Sequence, residues 1–437
     1  MAWDFSTEPE FQEKLDWAKQ FINEEIKPLE VAFPGEYIMY DRSNPLRAEV
    51  IKPLQDQVKH QGLWACHLPP ELGGQGYGQL KLALLQELVG HSSWAPMVFG
   101  CQAPDSGNAE ILAHYGTEGQ KAEYLQDLLA GKIGSCYSMT EPQAGSDPNQ
   151  FVCSAVREGD EWVINGEKWY SSSANTAAFI IVMVITNPDV PVYEGASMML
   201  VPTNTPGLEF IRYTGNFSDR TDHDGHHPYL RYNNVRVPAD NLLGNEGEGF
   251  KLAQVRLAGG RLHHGMRTVG MCQRALDMMC ERAQSRKVGR GILAKNPVVK
   301  EQIADSWIQL QNFRIQVLHA AWVMDREGPL AYNTRLHVAG VKVATPQVMK
   351  DLVWRSMHLH GALGVSDEMP LGKMWDSVPL LAVADGPTEV HKSTIAKELL
   401  RNYESVEGLF PSEHIPPRRE AALEKYADFI ERYASEL

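Results

Sequence analysis

The chain has no excess of positive charge: 41 Lys and Arg stand against 55 Asp and Glu, for a formal net charge of −14 over 437 residues. Nonspecific nucleic-acid binding needs a basic footprint, so that class of function is excluded, and nothing draws the whole chain to anionic lipid. An anionic ligand stays possible, because local arginines and helix N-termini bind phosphate in acidic proteins too. Cysteine is scarce. Cys66, Cys101, Cys136, Cys153, Cys272 and Cys280 lie far apart with no Cys-x-x-Cys, which argues against a zinc or dithiol site, and no metal is expected. Such sparse thiols are expected to be reduced, which points to the cytoplasm. The first residues, MAWDFSTEPEFQEKLDW, are polar and acidic, unlike a signal or transit peptide. The longest apolar run, 177–185, is too short to span a bilayer, and its Ile and Val content reads as a buried strand. Internal repeats, low-complexity tracts and heptad seams are also missing.

What is present is an ordinary globular composition, 43% hydrophobic and 22% charged, with length for a large core and more than one domain. The periodicities predict an α+β multidomain fold. Residues 1–135 read as an N-terminal helical domain. Phe11, Leu15, Ala18 and Phe21 recur at helical spacing until Pro28 and Pro34 break the pattern. A second helix over 46–62 carries Val50, Leu54 and Val58. The loop HLPPELGGQGYGQ leads to a core helix over 80–90, and helices over 107–115 and 119–130 follow. Gly73, Gly74, Gly76 and Gly78 do not satisfy Gly-x-Gly-x-x-Gly, and no strand precedes them, which excludes a dinucleotide-binding turn. Residues 136–245 change to short β-rich segments: 152–156, 161–164, 178–185, 197–201 and 208–213. Gly159-Asp160 and Asn165-Gly166 read as hairpin turns, and the whole as an antiparallel β-barrel. Residues 246–405 return to long amphipathic helices, 250–285, 297–325, 332–358 and 388–403, which predict a four-helix bundle. Residues 406–437 form a proline-interrupted, charged tail.

Two stretches combine apolar walls with polar turns. In CYSMTEPQAGSD, residues 136–147, Tyr137 and Met139 precede Thr140, Glu141 and Ser146, whose side chains offer oxygens. Gly145 permits close backbone approach, and Pro142 pre-sets a turn. Such a turn cradles a polar ligand or serves as an ordinary loop. About thirty residues on comes INGEKWYSSSAN, with Trp169, Tyr170 and Ser171. The pair resembles the two flavin-binding segments of acyl-CoA dehydrogenases, and the resemblance extends over most of the chain. It implies that FAD lies between Tyr137, Met139, Thr140 and Gly145 on one side and Trp169 and Ser171 on the other. Ser146 is then expected at the diphosphate or at the coenzyme A end of the substrate.

Four further phrases fall in the family's order. In LAGGRLHHGMRTVG, Gly259 and Gly260 open a long helix, and the resemblance gives Arg261 and His264 to the acyl-CoA site. His263 and His264 are adjacent and cannot share one helix face, which argues against a metal pair. In SRKVGRGILAKNP, Arg286 matches an arginine that binds the flavin diphosphate across a subunit boundary, but Gly289 and Arg290 replace the family's Phe-Gly. In MHLHGALGVSDEM, His358 stands where the family has Gln, with Gly361 and Gly364 kept, at a turn for the adenine end of a neighbouring subunit's flavin. In LLAVADGPTEVHKSTIAKELL, Asp385 stands where most members place a catalytic Glu. One branch uses Asp in a phrase like Ala-Asp-Gly-Pro-x-Glu-Val-His, so Asp385 is the expected base, although an Asp there also suits a simple turn cap. Gly386 is expected at the substrate and Pro387, Thr388 and Glu389 at the cofactor, with Thr388 as a helix N-cap. The resemblance implies α,β-dehydrogenation of an acyl-CoA to the trans-2-enoyl-CoA in fatty acid or related β-oxidation. It also implies a homotetramer or homodimer and an electron-transfer flavoprotein as acceptor. An acyl-CoA oxidase or flavin monooxygenase on the same fold, or a non-catalytic acyl-CoA-binding protein, are the alternatives.

Overall fold

The computed structural model describes residues 5–33, 40–41, 44–215, 226–406 and 408–434. They form two compact units, residues 1–392 and 393–437. In the first unit, the N-terminal helices are α1 (Pro9–Phe21), α2 (Lys27–Ala32), α3 (Lys52–His60), α4 (Gly78–Val89), α5 (Ala95–Val98), α6 (Asp105–Tyr115), α7 (Glu118–Gln120) and α8 (Gln126–Leu129). Pro28 does not end the first helical run. A π-helical turn at Ile22–Ile26 lets Lys27 N–H bond to Ile22 O, and α2 continues with Pro28 at its start. The wider turn accommodates a residue that lacks an N–H and would clash with the carbonyl four residues back. The same device precedes Pro53, at Arg47–Ile51. Pro34, the other expected break, lies outside the described residues.

The middle region is a mixed sheet of eight strands: β1 (Ser135–Ser138), β2 (Ser154–Glu158), β3 (Glu161–Lys168), β4 (Phe179–Ile185), β5 (Ala196–Pro202), β6 (Leu208–Thr214), β7 (His227–Pro238) and β8 (Leu242–Leu243). The order is β6-β7-β3-β2-β4-β5-β8, and β1 pairs with β4 in parallel. The expected antiparallel barrel is therefore corrected to an open, mixed sheet: among the described residues no pairing joins β6 to β8. A short helix, α9 (Val192–Gly195), precedes β5. The apolar run at 177–185 is buried on both faces. Phe179, Ile181 and Met183 pack with Ile111, Leu112 and Leu252 of the flanking helices. Ile180, Val182 and Val184 face Trp162, Leu230, Tyr232 and Val235, so the coiled sheet packs its other face on itself. Gly159-Asp160 is the β2–β3 turn. Asn165-Gly166 is not a turn: it lies inside β3 at a bulge opposite β7, and a Cβ on Gly166 would come within 2.6 Å of Cys153 Cα.

The C-terminal helices are α10 (Gly249–Ser285), α11 (Pro297–Glu327), α12 (Tyr332–His360) and α13 (Leu371–Val383). α10, α11 and α12 pack on one another around Leu262, Met266, Phe313, Val317 and Leu352, and α13 packs on α12. The four-helix expectation omitted α13, whose internal Pro379 and short length hid it. α14 (Thr388–Leu400) starts in this unit and runs into the second, which also holds α15 (Ile415–Lys425) and α16 (Ala427–Tyr433). α10 also lies against α4, with the two backbones touching: a Cβ on Gly270 would stand 1.9 Å from Glu87 O.

One buried ion pair fixes the turn after β1. Lys168 and Glu141 are fully buried and bond at 2.8 Å. Lys168 Nζ also donates to Met139 O, while Glu141 accepts from the backbone N–H groups of Val152 and Cys153 and from Gln143 Nε2. Glu141 is therefore a clamp and not a ligand-facing oxygen as the sequence suggested. Removing one partner strands a buried charge, at a cost of about 3–5 kcal/mol. Lys168→Met is expected to lower the thermal midpoint by roughly 5 °C or more. Lys132→Ala, which breaks an exposed pair with Asp127, serves as the control, and the measurement is differential scanning calorimetry of both variants.

Candidate active site

Two side-chain groups meet in the first unit. The first lies at the ends of β1 and β3. Thr140 O accepts from Trp169 N–H at 2.8 Å, which sets the two sequence motifs side by side. Ser138 and Ser171 hydroxyls bond at 2.7 Å, and Tyr137 Oη donates to Met139 Sδ. Trp169 Nε1 donates to Thr214, and the Arg212 guanidinium lies 5.6 Å from the indole centre. Tyr137, Met139, Thr140 and Trp169 are half-buried and Ser171 is buried. Gly145 and Ser146 sit on an exposed part of the turn, and a Cβ on Gly145 would meet nothing within 4 Å.

The second group surrounds Asp385, in the turn between α13 and α14. Its φ is +57°, a left-handed conformation that Asp tolerates better than most residues. The turn is held from several directions. Arg261 Nε donates to Asp385 O at 2.8 Å, and His391 Nε2 reaches the same oxygen at 3.2 Å. Burial pushes His391 down to about 4, so near neutrality it is uncharged and donates through Nε2–H. The buried Lys342 ammonium donates to Leu381 O, and burial brings its pKa down to about 8. Thr388 Oγ1 donates to Ala382 O at 3.3 Å. These two donors cap carbonyls at the end of α13. Thr388 is thus not the N-cap expected from sequence. Pro387 holds that position, its carbonyl accepting from Val390 and His391.

The Asp385 side chain lines a cavity with Ala103, Ser106, Glu110, Arg256, His263 and His264, among others. The glycines of α10 make the space. A Cβ on Gly260 would stand 3.0 Å from Asp385 Oδ2, and one on Gly259 3.1 Å from Glu110 Oε2. They are not at the helix start, as expected, but well inside α10, where glycine costs about 1 kcal/mol relative to alanine. His264 Nε2 is 3.6 Å from Asp385 Oδ2. Burial, reinforced by Arg267, holds His264 down to about 4. Its Nδ1 faces Arg267 Nη2, a donor, so the ring proton sits on Nε2, toward the carboxylate. Arg256 bonds Asn108 and covers the Tyr137 ring at 3.9 Å. Tyr137 links the two groups through Arg256: burial raises its phenol, and Asp385 adds to that shift.

Arg286, His358 and Gly361 do not join this cluster within one chain. Arg286 is exposed just beyond α10, 25 positions after Arg261, or roughly 38 Å along a helix. His358 is exposed on α12 with its ring 4.2 Å from Trp354, and Gly361 lies exposed just after that helix. Gly289 and Arg290 make the turn of a small hairpin, β9 (Lys287–Val288) and β10 (Gly291–Ile292). Gly386 and Pro387 are half-buried beside Asp385, and Glu389 is exposed. Sequence reasoning missed Glu110, Arg256 and Lys342, and gave His391 no role. The signal for Glu110 was slight: one acid between Ala109 and Ile111 in an apolar helix.

Profiles of the acyl-CoA dehydrogenase N-terminal, middle and C-terminal domains match residues 8–132, 136–227 and 247–400. The chain is 41% identical over 360 residues to the probable acyl-CoA dehydrogenase FadE2 of Mycobacterium tuberculosis, covering 82% of this chain and 87% of that one. It is 41% identical over 400 residues to acyl-CoA dehydrogenase family member 11 of Pongo abelii, covering 90% of this chain and 50% of that protein. A solved putative acyl-CoA dehydrogenase from Mycobacterium abscessus superposes with a TM-score of 0.82 at 35% identity, covering 91% of this chain and all of that one. The chain belongs to the acyl-CoA dehydrogenase family. It spans about half the length of the family member 11 relatives it matches.

Glu110 gives this cavity a pH signature. Burial pushes its carboxyl up to about 8, against an opposing pull from Arg256. The folded state therefore keeps a proton that the unfolded chain loses near its ordinary value, and stability falls as pH rises between the two. Relative to wild type, Glu110→Gln is expected to gain stability progressively from about pH 4.5 to about 8 and to hold a constant difference above that. Thermal midpoints across this range check it; a difference independent of pH contradicts it.

Proposed function

We propose that the chain is an FAD-dependent acyl-CoA dehydrogenase that converts an acyl-CoA to its trans-2-enoyl-CoA with Asp385 as the base. The observation that carries this reading is the Asp385 carboxylate. It lines a cavity opened by Gly260 and walled by Arg256, whose guanidinium rests on Tyr137 at the edge of the Thr140–Trp169 pair. The residues present fit a flavin. Trp169 offers a flat, half-buried aromatic face, and the Thr140 hydroxyl beside it makes no hydrogen bond among the described residues. Tyr137, Met139, Thr140, Trp169 and Ser171 would hold the ring edge, with Gly145 and Ser146 toward the diphosphate or coenzyme A, and Pro387, Thr388 and Glu389 on the other side. Bound there, FAD supplies the hydride acceptor for the β carbon.

The chain's own groups handle the proton. Asp385 takes the α proton; the Cα–H bond breaks and its electron pair passes into the thioester enolate. Arg261 and His391 act through the backbone of Asp385. They grip the Asp385 carbonyl and so aim its carboxylate, which is the positioning that this weakly acidic proton requires. Gly386 and His264 flank the same spot. Arg286, His358 and Gly361, remote from Asp385 along their helices, complete the flavin site of a neighbouring copy, which makes the enzyme a homotetramer or homodimer. We assign an electron-transfer flavoprotein as acceptor and a reducing, cytoplasmic setting, to which the six free thiols are suited.

Asp385→Asn tests the base. The purified variant is expected to stay yellow, with its flavin bound, while anaerobic bleaching by a saturated acyl-CoA slows by about 1,000-fold or more. Bleaching at the wild-type rate removes Asp385 from the mechanism.

A further inference from the structure

A second cavity adjoins the one at Asp385. It is lined by Arg47, Gln55, Trp64, His67, Gly100, Gln102, Ser106 and Gly131, among others, and Ser106 lines both cavities. Its outer end is formed by Trp64, Gly100 and Gly131, which are only half-buried. Between these ends lie buried polar atoms whose hydrogen bonding is incomplete among the described residues: Gln102 Oε1, His263 Nε2 and the ring nitrogens of His67, which has only the Ser106 backbone nearby. Buried polar atoms are ordinarily satisfied by protein or by water. Four such atoms lie along two cavities that share Ser106 in their walls, and they match sites for bound water. The histidines form a continuous electrostatic series, since His263 feels both His67 and His264, and His264 faces Asp385. Nothing in the proton abstraction derived above uses His67, Gln102 or Ser106.

We propose that this line of polar groups, from His264 and His263 past Ser106 to His67 and Gln102, is the path by which the proton taken by Asp385 exchanges with solvent. The inference rests on Asp385 being the base. The proton leaves the protonated carboxyl for water in the Asp385 cavity and is relayed through hydrogen-bonded water and imidazole to the half-buried end of the second cavity at Trp64, Gly100 and Gly131. The carboxylate is regenerated, and no redox step is involved. His67 and Ser106 are transfer-path residues: His67 lines the second cavity alone, and Ser106 lines both.

The test uses the holoenzyme in D2O with an acyl-CoA whose β carbon is replaced by sulfur, so that it cannot be dehydrogenated. Asp385 removes an α proton, and the enolate takes back either the same proton or, after exchange through the path, a deuteron. Mass spectrometry reads the deuterium gained at the α carbon. His67→Phe and Ser106→Val, which fill the path with apolar groups, are expected to slow exchange at least about tenfold. His67→Asn, which keeps polar atoms there, is expected to stay within about threefold of wild type, and anaerobic bleaching by a saturated acyl-CoA to stay within about threefold in both His67 variants. If His67→Phe loses its flavin, Ser106→Val decides. Exchange at the wild-type rate in the blocked variants overturns the path, as does an equal slowing of exchange and bleaching. Wild-type enzyme that neither bleaches nor exchanges overturns the dehydrogenase reading itself.

Discussion

The site depends on one backbone carbonyl. Asp385 O receives Arg261 Nε from α10 and His391 Nε2 from α14, and the two donors hold the chain in a left-handed bend. That bend points the carboxylate back at α10. Left-handed backbone is costly for most L-residues and less so for Asp, whose short side chain bonds locally. This offers a physical reason for a short acid in this bend. The missing side chain at Gly260 leaves room for its carboxyl group.

α10 is the common support of these features. It carries Arg256, Arg261, His263, His264 and Arg267 on consecutive turns, packs on α4, α6, α11 and α12, and lies beside β5 of the sheet. Its glycines serve two purposes: Gly270 lets the backbone of α4 approach, while Gly259 and Gly260 leave room for two carboxylates. Near neutrality Glu110 is held protonated by burial, while Arg261 and His391 grip the Asp385 backbone and His264 faces its side chain.

Much of this was legible from the chain. The apolar run at 177–185 gave a central strand because both sheet faces are buried, and the helical periods of the C-terminal region gave three of its long helices. The two motifs at 136–147 and 164–175 were readable as a pair, and the Thr140–Trp169 bond brings them together. Other features depend on contacts that no local pattern encodes. Pro28 looks like a helix stop unless the π turn before it is known, and Asn165-Gly166 looks like a hairpin unless β7 is seen opposite it. Glu141 reads as a ligand-facing oxygen until its buried partner Lys168, 27 residues away, is placed beside it. Glu110 and Lys342 enter the site from helices distant in sequence, and each stands alone in an apolar segment.

A structure of the holoenzyme with a non-reactive acyl-CoA analogue tests the central claim most directly. The account predicts an Asp385 carboxylate oxygen within about 3.5 Å of the thioester α carbon, its carbonyl still bonded to Arg261 and His391. An α carbon out of reach of Asp385, with another acid such as Glu110 against it, would contradict the account.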